Sequence, residues 1–320
     1  MDRLLFIGPK FYDYHIMIKE EFERKGYSVD YYDDRPSTSF LTKSLIRINK
    51  SLVHHKIKKY FKKILQETSM NKYSIVFVLY GQSFSNKMIR ELKEKHPESK
   101  FIFYMYDPMS SMIDRVEFAK EFDKVLTFDY NDSKQYGYEL LPLFYKNTIL
   151  PNETIIYDAS FIGTMMAGKF MLVDEIIRQL KNHDYNVFDY RFIQSKMVLN
   201  YYKIKSKDFK KSKVSDFKFK RLDRETCNKV LMQSNIIIDC PKENQTGLTI
   251  RTFEAMFANK KLITTNKTIK NYDFYRPENI YVFEGEIDFS DVFFHSEYVR
   301  LNKDIIEKYS ISNWADEIIK

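Results

Sequence analysis

The chain of 320 residues holds only two cysteines, Cys227 and Cys240, in no metal-ligand spacing. That excludes a disulfide framework and a zinc site built on thiolates, and it fits buried thiols in a reducing compartment. Glycine and proline are scarce too, at eight each, which argues against a fibrous or low-complexity chain. No apolar run approaches the ~20 residues that cross a bilayer. The opening MDRLLFIGPKF is too short an apolar stretch for a secretory signal. A cytoplasmic protein is expected. No helix-turn-helix, RRM or KH signature occurs, so nucleic acid is not expected as a partner.

What is abundant points elsewhere. Hydrophobic residues make up 44% and charged residues 30%, the balance of a soluble globular protein with substantial cores. The length suits two domains better than one. The 27 Phe and 24 Tyr supply core and pocket walls. A net charge of +8 favours an acidic partner, such as a phosphorylated small molecule or anionic lipid.

Apolar runs and helical spacing alternate along the first half. LLFIG (4–8) precedes a helix over 13–26 that stops at Gly26, and YSVDYYDD returns as a strand. A long helix is expected at 41–66, a strand at 74–81, a helix at 84–96, and strands at 100–107 and 124–129. Asn131-Asp132-Ser133 opens a further helix, with Asp132 as its N-cap. Strands separated by helices of this length imply a parallel sheet covered on both faces. The proline-broken stretch 141–158 marks a boundary, giving domains 1–150 and 151–320. A second α/β series follows from ASFIGT (159–164) through NIIIDC (235–240) to NIYVFEG (279–285).

In such sheets ligands bind beyond the carboxyl ends of the strands, so polar residues just after strands are the candidates. After NIIIDC comes QTGLTIRTFEAMFANKKLITTN (245–266). It reads as a turn at Gly247, a helix of about Leu248 to Ala258 with Ile250, Phe253 and Phe257 as its core stripe, and a buried strand. Asn259 suits the left-handed cap that ends the helix. Arg251 and Glu254, three apart beside that stripe, read either as a surface ion pair or as part of an anion site. A helix N-terminus entered through Gly247 and Thr249 offers N–H groups to a diphosphate, Arg251 adds a cation, and Glu254 can accept two ribose hydroxyls. In the first half, Pro108 biases Asp107 to extended backbone at a strand's carboxyl end. Asp107 is the first candidate for a general base and His15 the second. Gly8 and Gly81 end strands where a ligand can approach the backbone, and Gln82 can bond a sugar hydroxyl.

QTGLTIRTFEAMFANKKLITTN, FIGTMMAGK (161–169), FIFYMYDPMSS (102–112) and EFDKVLTFDYNDSKQYG (121–137) together resemble the group 1 glycosyltransferases. The likeness is closest to CgeB-like proteins and bacterial capsule or lipopolysaccharide transferases, where R-T-F-E-A stands at this point. The resemblance implies a GT-B fold: two Rossmann-like domains facing across a cleft, with a last helix returning to the first domain. It implies a nucleotide-sugar as donor, a glycan or lipid-linked acceptor, and catalysis without a metal or other cofactor. In that family a strand ends in glycine, here Gly163, and a basic residue about six positions later, here Lys169, binds the donor phosphates. Thr164 stands where the family often has arginine, Thr246 where it has a first glutamate, and Asn259 where it has glycine. SISNWADEIIK resembles the returning helix, with Trp314 as a packing anchor.

Two other readings compete. FDYND (128–132) could be the acidic metal motif of a single-domain GT-A transferase, with Asp129 and Asp132 as oxygen ligands. The chain could instead be a non-catalytic nucleotide- or polyanion-binding module. Charge bears on the partner as well. No acidic residue lies between Asp34 and Glu67, while Lys43, Arg47, Lys50, Lys56, Lys58, Lys59, Lys62 and Lys63 do. Leu45, Ile48, Leu52, Ile57, Phe61, Ile64 and Leu65 interleave with them. A basic amphipathic helix of this kind suggests peripheral attachment to an anionic membrane, at the inner face of the plasma membrane. A second basic run, KIKSKDFKKSK (203–213), reads as a surface loop or a lining of the donor side.

Overall fold

The computed structural model describes residues 2–11, 13–37, 39, 46, 50–146 and 153–320. It contains two compact units, residues 1–142 with 311–320, and residues 143–310.

The first unit is built on β1 (Arg3–Ile7), α1 (Tyr14–Arg24), β2 (Ser28–Tyr32), α2 (His54–Thr68), β3 (Ile75–Leu79), α3 (Asn86–Lys95) and β4 (Lys100–Met105). It continues with α4 (Asp114–Ala119), β5 (Lys124–Thr127), α5 (Tyr130–Tyr136) and β6 (Glu139–Leu140). All pairings are parallel, in the order β2-β1-β3-β4-β5-β6. Helices cover both faces, so the central strands carry no polar alternation: every residue of IVFVL in β3 is buried.

The second unit follows the same logic with β7 (Tyr157–Thr164), α6 (Phe170–Asn182), β8 (Val187–Phe192), α7 (Lys196–Lys205), α8 (Arg224–Met232), β9 (Ser234–Asp239), α9 (Ile250–Phe257) and β10 (Lys261–Thr264). β11 (Ile280–Val282), α10 (Val292–His295) and α11 (Lys303–Lys308) complete it. Its sheet is parallel in the order β11-β10-β9-β7-β8. Alternate residues of β9 feed two cores, Ile236 and Ile238 on one face and Ile237 on the other.

The last helix, α12 (Ile311–Ile319), belongs to the first unit. Trp314 is 2% exposed and meets Phe77 and Tyr104 edge-on at 6.0 and 5.1 Å between ring centroids. Lys25 on α1 pairs with Asp316 at 2.6 Å.

Several expectations need correction. Of the helix expected at 41–66, the described residues show Ile46 helical, a 3-10 turn at Lys50–Val53 and an α-helix over His54–Thr68. Lys43, Leu45, Arg47 and Ile48 lie outside the described residues. Asp129, not Asp132, caps α5: its carboxylate accepts from the N–H groups of Asn131 and Asp132, because the extended residue before the helix is the one that can reach back. The core face of α9 is Thr252, Phe253, Ala255 and Met256, while Ile250 and Phe257 are half-buried. Phe257 stacks on Tyr145 at 4.3 Å instead. Cys240 is buried as expected, but Cys227 is only partly so. Asn259 follows α9 at φ 52°, the left-handed turn expected of it. Helices α4 and α7 were not foreseen.

Candidate functional site

The strand order of the second unit reverses between β7 and β9, and the crevice opened at such a point is where parallel sheets bind ligands. Five of the expected donor residues lead into or out of it. Gly163 and Thr164 end β7, Lys169 stands just before α6, and Gly247 and Thr249 lead into α9.

Each is fixed for a local reason. A Cβ on Gly163 would come within 2.6 Å of the Phe161 ring, so only glycine fits there. That ring in turn lies under the Lys169 ammonium, 5.5 Å from the centroid. Gly168 takes φ +78°, its N–H donates to Asp208 Oδ2 at 3.0 Å, and a Cβ would meet Glu243 Oε2 at 2.9 Å. The loop before α9 is held from the end of β10. Asn266 Nδ2 donates to the carbonyls of Thr246 and Gly247, both at 3.3 Å, and Thr268 Oγ1 donates to Thr246 O at 2.5 Å.

Thr249 precedes α9 but does not cap it with its side chain. Its hydroxyl donates to Asp239 Oδ2 at 2.5 Å, and Thr252 Oγ1 lies 3.3 Å from the same oxygen. Asp239 closes β9 and is 7% exposed, yet sequence reasoning passed over it. Its place at the carboxyl end of an apolar strand was the available signal.

Electrostatics single out Lys169. Burial pushes its ammonium below the ordinary lysine value; Asp239 and Cys240 oppose that, while Arg251 and Lys242 add to it. Among the described residues Lys169 makes no ion pair. Burial also pushes the neighbouring Cys240 thiol up to about 12. Arg251 Nη1 and Glu254 Oε2 are 2.8 Å apart, with side chains about a quarter exposed, so the ion-pair geometry is present beside the crevice. A cation-rich crevice at two helix starts can hold a diphosphate, and Glu254 can accept hydroxyls.

The first unit's sheet reverses between β1 and β3, and Gly8 and Gly81 follow those two strands. Tyr80 and Gly81 are both left-handed, at φ 69° and 58°. Arg115, 3% exposed, holds this turn by donating to the carbonyls of Gly81 at 2.7 Å and Phe84 at 3.1 Å. Gln82 is buried, and its N–H donates to Asp34 Oδ2 at 2.8 Å. Asp34, wholly buried, lies 3.4 Å from Arg35 Nε. Burial raises its carboxyl to about 7, against the pull of Arg35 and the Gln82 N–H.

His15, on the first turn of α1, packs its ring 5.2 Å from Tyr31. Burial, then Lys10, lowers its pKa. Asp107 follows β4 by two residues, and its charge reaches the Tyr106 phenol together with that of Asp34. The Asp33-Asp34-Arg35 cluster was missed, although DDR directly after a strand marks it in the sequence.

The acidic motif FDYND is spent on backbone. Asp129 caps α5, and Asp132 Oδ2 accepts from the Met109 N–H at 2.7 Å, with burial raising its carboxyl to about 6. Lys56, Lys58, Lys59, Lys62 and Lys63 are all exposed on α2, with Lys63 3.6 Å from Glu67. The apolar side of that helix, Ile57, Phe61 and Ile64, lies in the core, so α2 presents charge to solvent and no insertable apolar face. Among the described residues no helix is long and apolar enough to cross a membrane.

No family model matches the chain, and no curated protein matches its sequence. Solved structures do resemble it. Anabaena Alr3699/HepE in complex with UDP-glucose matches 100% of this chain and 98% of its own, at TM-score 0.60 and 9% identity. The glycotransferase of kitacinnamycin matches 99% of this chain and 98% of its own, at 0.50 and 8%. The trehalose-6-phosphate phosphatase N-terminal domain of Candida albicans matches 100% and 96%, at 0.59 and 8%. At these identities the likeness is one of fold. The chain has the GT-B architecture of two Rossmann-like α/β domains rather than a single GT-A domain.

Proposed function

We propose that the chain is a glycosyltransferase that moves a sugar from a nucleotide-sugar held by the second unit to an acceptor held by the first. The observation that carries this reading is the Lys169 ammonium. It is half-buried and desolvated at the strand-order reversal beside Arg251 and the start of α9, with no ion pair among the described residues. Burying a cation is costly unless an anion completes the site, and a nucleoside diphosphate has the charge and reach to do so. HepE, of the same fold, has been solved with UDP-glucose.

In this reading Glu254 accepts the ribose hydroxyls, and Gly163, Thr164, Gly247 and Thr249 shape the phosphate side. Gly8, Gly81 and Gln82 receive the acceptor. Asp107, or His15 in its place, takes the proton as the acceptor oxygen attacks the anomeric carbon. The bond from that carbon to the diphosphate oxygen breaks, its electron pair leaves with the nucleotide, and Lys169, Arg251 and the start of α9 stabilise the developing charge. These cations take the part a metal plays elsewhere, so no cofactor is assigned.

The motif likeness to CgeB-like and capsule or lipopolysaccharide transferases supports a glycan or lipid-linked acceptor in bacterial surface polysaccharide synthesis. The exposed α2 lysines support peripheral contact with an anionic membrane from the cytoplasm.

A thermal-shift screen against nucleotides and nucleotide-sugars tests the donor part, because a ligand that binds only the folded state raises its melting point. A nucleoside diphosphate should do so, and Glu254→Ala should reduce the effect at equal ligand concentration. No shift with any nucleotide would overturn the proposal. Asp107→Asn should keep the shift and lose turnover; wild-type turnover would remove Asp107 as the base.

A further inference from the structure

Besides the basic run between Asp34 and Glu67, positive charge is concentrated in a segment of the second unit. Between Lys196 and Arg221 ten Lys and Arg stand against two carboxylates, Asp208 and Asp216. That excess of eight equals the net charge of the whole chain, which leaves 42 cations and 42 carboxylates elsewhere. Both carboxylates are engaged by the chain itself: Asp208 accepts from the Gly168 N–H and the Ser206 hydroxyl, and Asp216 from the Lys213 N–H. Lys196, Lys205, Lys207, Lys210, Lys211 and Lys213 are exposed.

The same segment exposes apolar side chains in register. On α7, Met197 is 77%, Tyr201 57% and Ile204 78% exposed. Their i, i+4, i+7 spacing places them within an arc of about 60° on one helix face. Leu199 is buried on the other side, and Val198 and Tyr202 pack against the second unit's core. The platform is rigid beneath. Phe209 is fully buried, and its ring lies 5.0 Å from Tyr202, 5.2 Å from Phe170 and 5.7 Å from Phe217.

We propose that this face of the second unit docks on a bilayer bearing anionic headgroups, with Met197, Tyr201 and Ile204 entering the interfacial layer and the surrounding lysines meeting the headgroups. Charge complementarity selects the partner, and the apolar triad selects among polyanions. A nucleic acid would use the lysines but gives three adjacent apolar side chains nothing to enter, whereas a bilayer rewards both. The contrast with α2 is physical, since the apolar residues of that helix are already consumed by the core. The patch also touches the donor crevice, because Asp208 holds the Gly168 N–H one residue before Lys169. This inference rests only on the membrane part of the function proposed above, and it moves the anchoring surface from α2 to α7.

Co-sedimentation of the full chain with vesicles tests it. The chain should bind vesicles of equal parts phosphatidylglycerol and phosphatidylcholine, and not pure phosphatidylcholine. The double variant Met197→Glu with Ile204→Glu should bind about tenfold more weakly or less, with an unchanged melting point. Lys210→Glu with Lys211→Glu should weaken binding mainly at low salt. Wild-type binding by the Met197/Ile204 variant would overturn the proposal, as would equal binding to neutral vesicles. Loss confined to Lys59→Glu with Lys63→Glu would return the anchor to α2 and sink this proposal alone. Binding to an RNA oligonucleotide but not to vesicles would refute both membrane readings. A failed nucleotide screen would leave the vesicle result untouched.

Discussion

Replacing Lys169 by methionine should make the unliganded protein more stable and its nucleotide complex weaker. Methionine keeps the length of the stem that runs over Phe161 and removes only the charge. That charge is half-buried and desolvated, with Asp239 as its main attraction and Arg251 and Lys242 as repulsions. Asp239 would keep its two hydroxyl partners, Thr249 and Thr252. Exchanging a poorly compensated, desolvated cation for an apolar side chain is neutral to stabilising, here by at most about 1 kcal/mol. A charge-assisted contact to phosphate contributes about 1.5–3 kcal/mol, so UDP affinity should fall roughly ten- to a hundredfold. Thermal denaturation with and without UDP reads both effects. The pH dependence has a definite sign. Because folding lowers the lysine's pKa, the unfolded chain binds more protons between the folded value and 10.5, and the wild type gains stability as pH rises through that interval. The gap between variant and wild type should therefore narrow at high pH. A variant that is less stable by 1 kcal/mol or so, with unaltered UDP affinity, would show that Lys169 is structural and refute the reasoning.

Glu254→Ala should cost UDP affinity at least about tenfold, yet change stability by no more than about 1 kcal/mol, since its pair with Arg251 is partly solvated; isothermal titration and urea denaturation separate the two. Asp34→Asn should flatten the pH dependence of stability between pH 4 and 7. The wild-type carboxyl is held protonated by folding, so its contribution is complete below 3.8 and lost as pH rises through about 7. That interval, at about 1.4 kcal/mol per pH unit, sets a ceiling of about 4 kcal/mol, and superimposable profiles would contradict the assignment. Gly168→Ala should cost about 1–2 kcal/mol from its left-handed backbone, and removing the contact with Glu243→Ala should recover only part of it. Full recovery in a double-variant denaturation series would show that the clash, not the backbone, sets the cost.

The strands were legible because a parallel sheet buried on both faces writes itself as unbroken apolar runs, as IVFVL and NIIID do. Residues that follow such runs were legible for the same reason. Gly163, Lys169, Gly247 and Thr249 were named from sequence and stand at the second unit's strand reversal. Asp239 and Asp34 escaped because their significance is burial, and one aspartate at a strand end looks like any other until the neighbouring strand is known. The cap of α5 was misplaced by three residues because two aspartates flank its start, and only backbone conformation decides which one can reach back.

The failure at α7 has a different cause and carries more information. A helix that buries one stripe shows a period of 3.6, but Met197, Val198, Leu199, Tyr201, Tyr202 and Ile204 occupy both the inward and the outward faces. Core residues and exposed residues are alike in hydrophobicity there, so the periodic signal cancels. For a helix that meets only water on its outer side, selection for solubility would restore the period by placing polar residues where Met197, Tyr201 and Ile204 stand. The missing period is thus the mark of a helix with a second apolar environment to satisfy. The same loss of pattern that hid α7 from the sequence is the reason to look for the surface it meets.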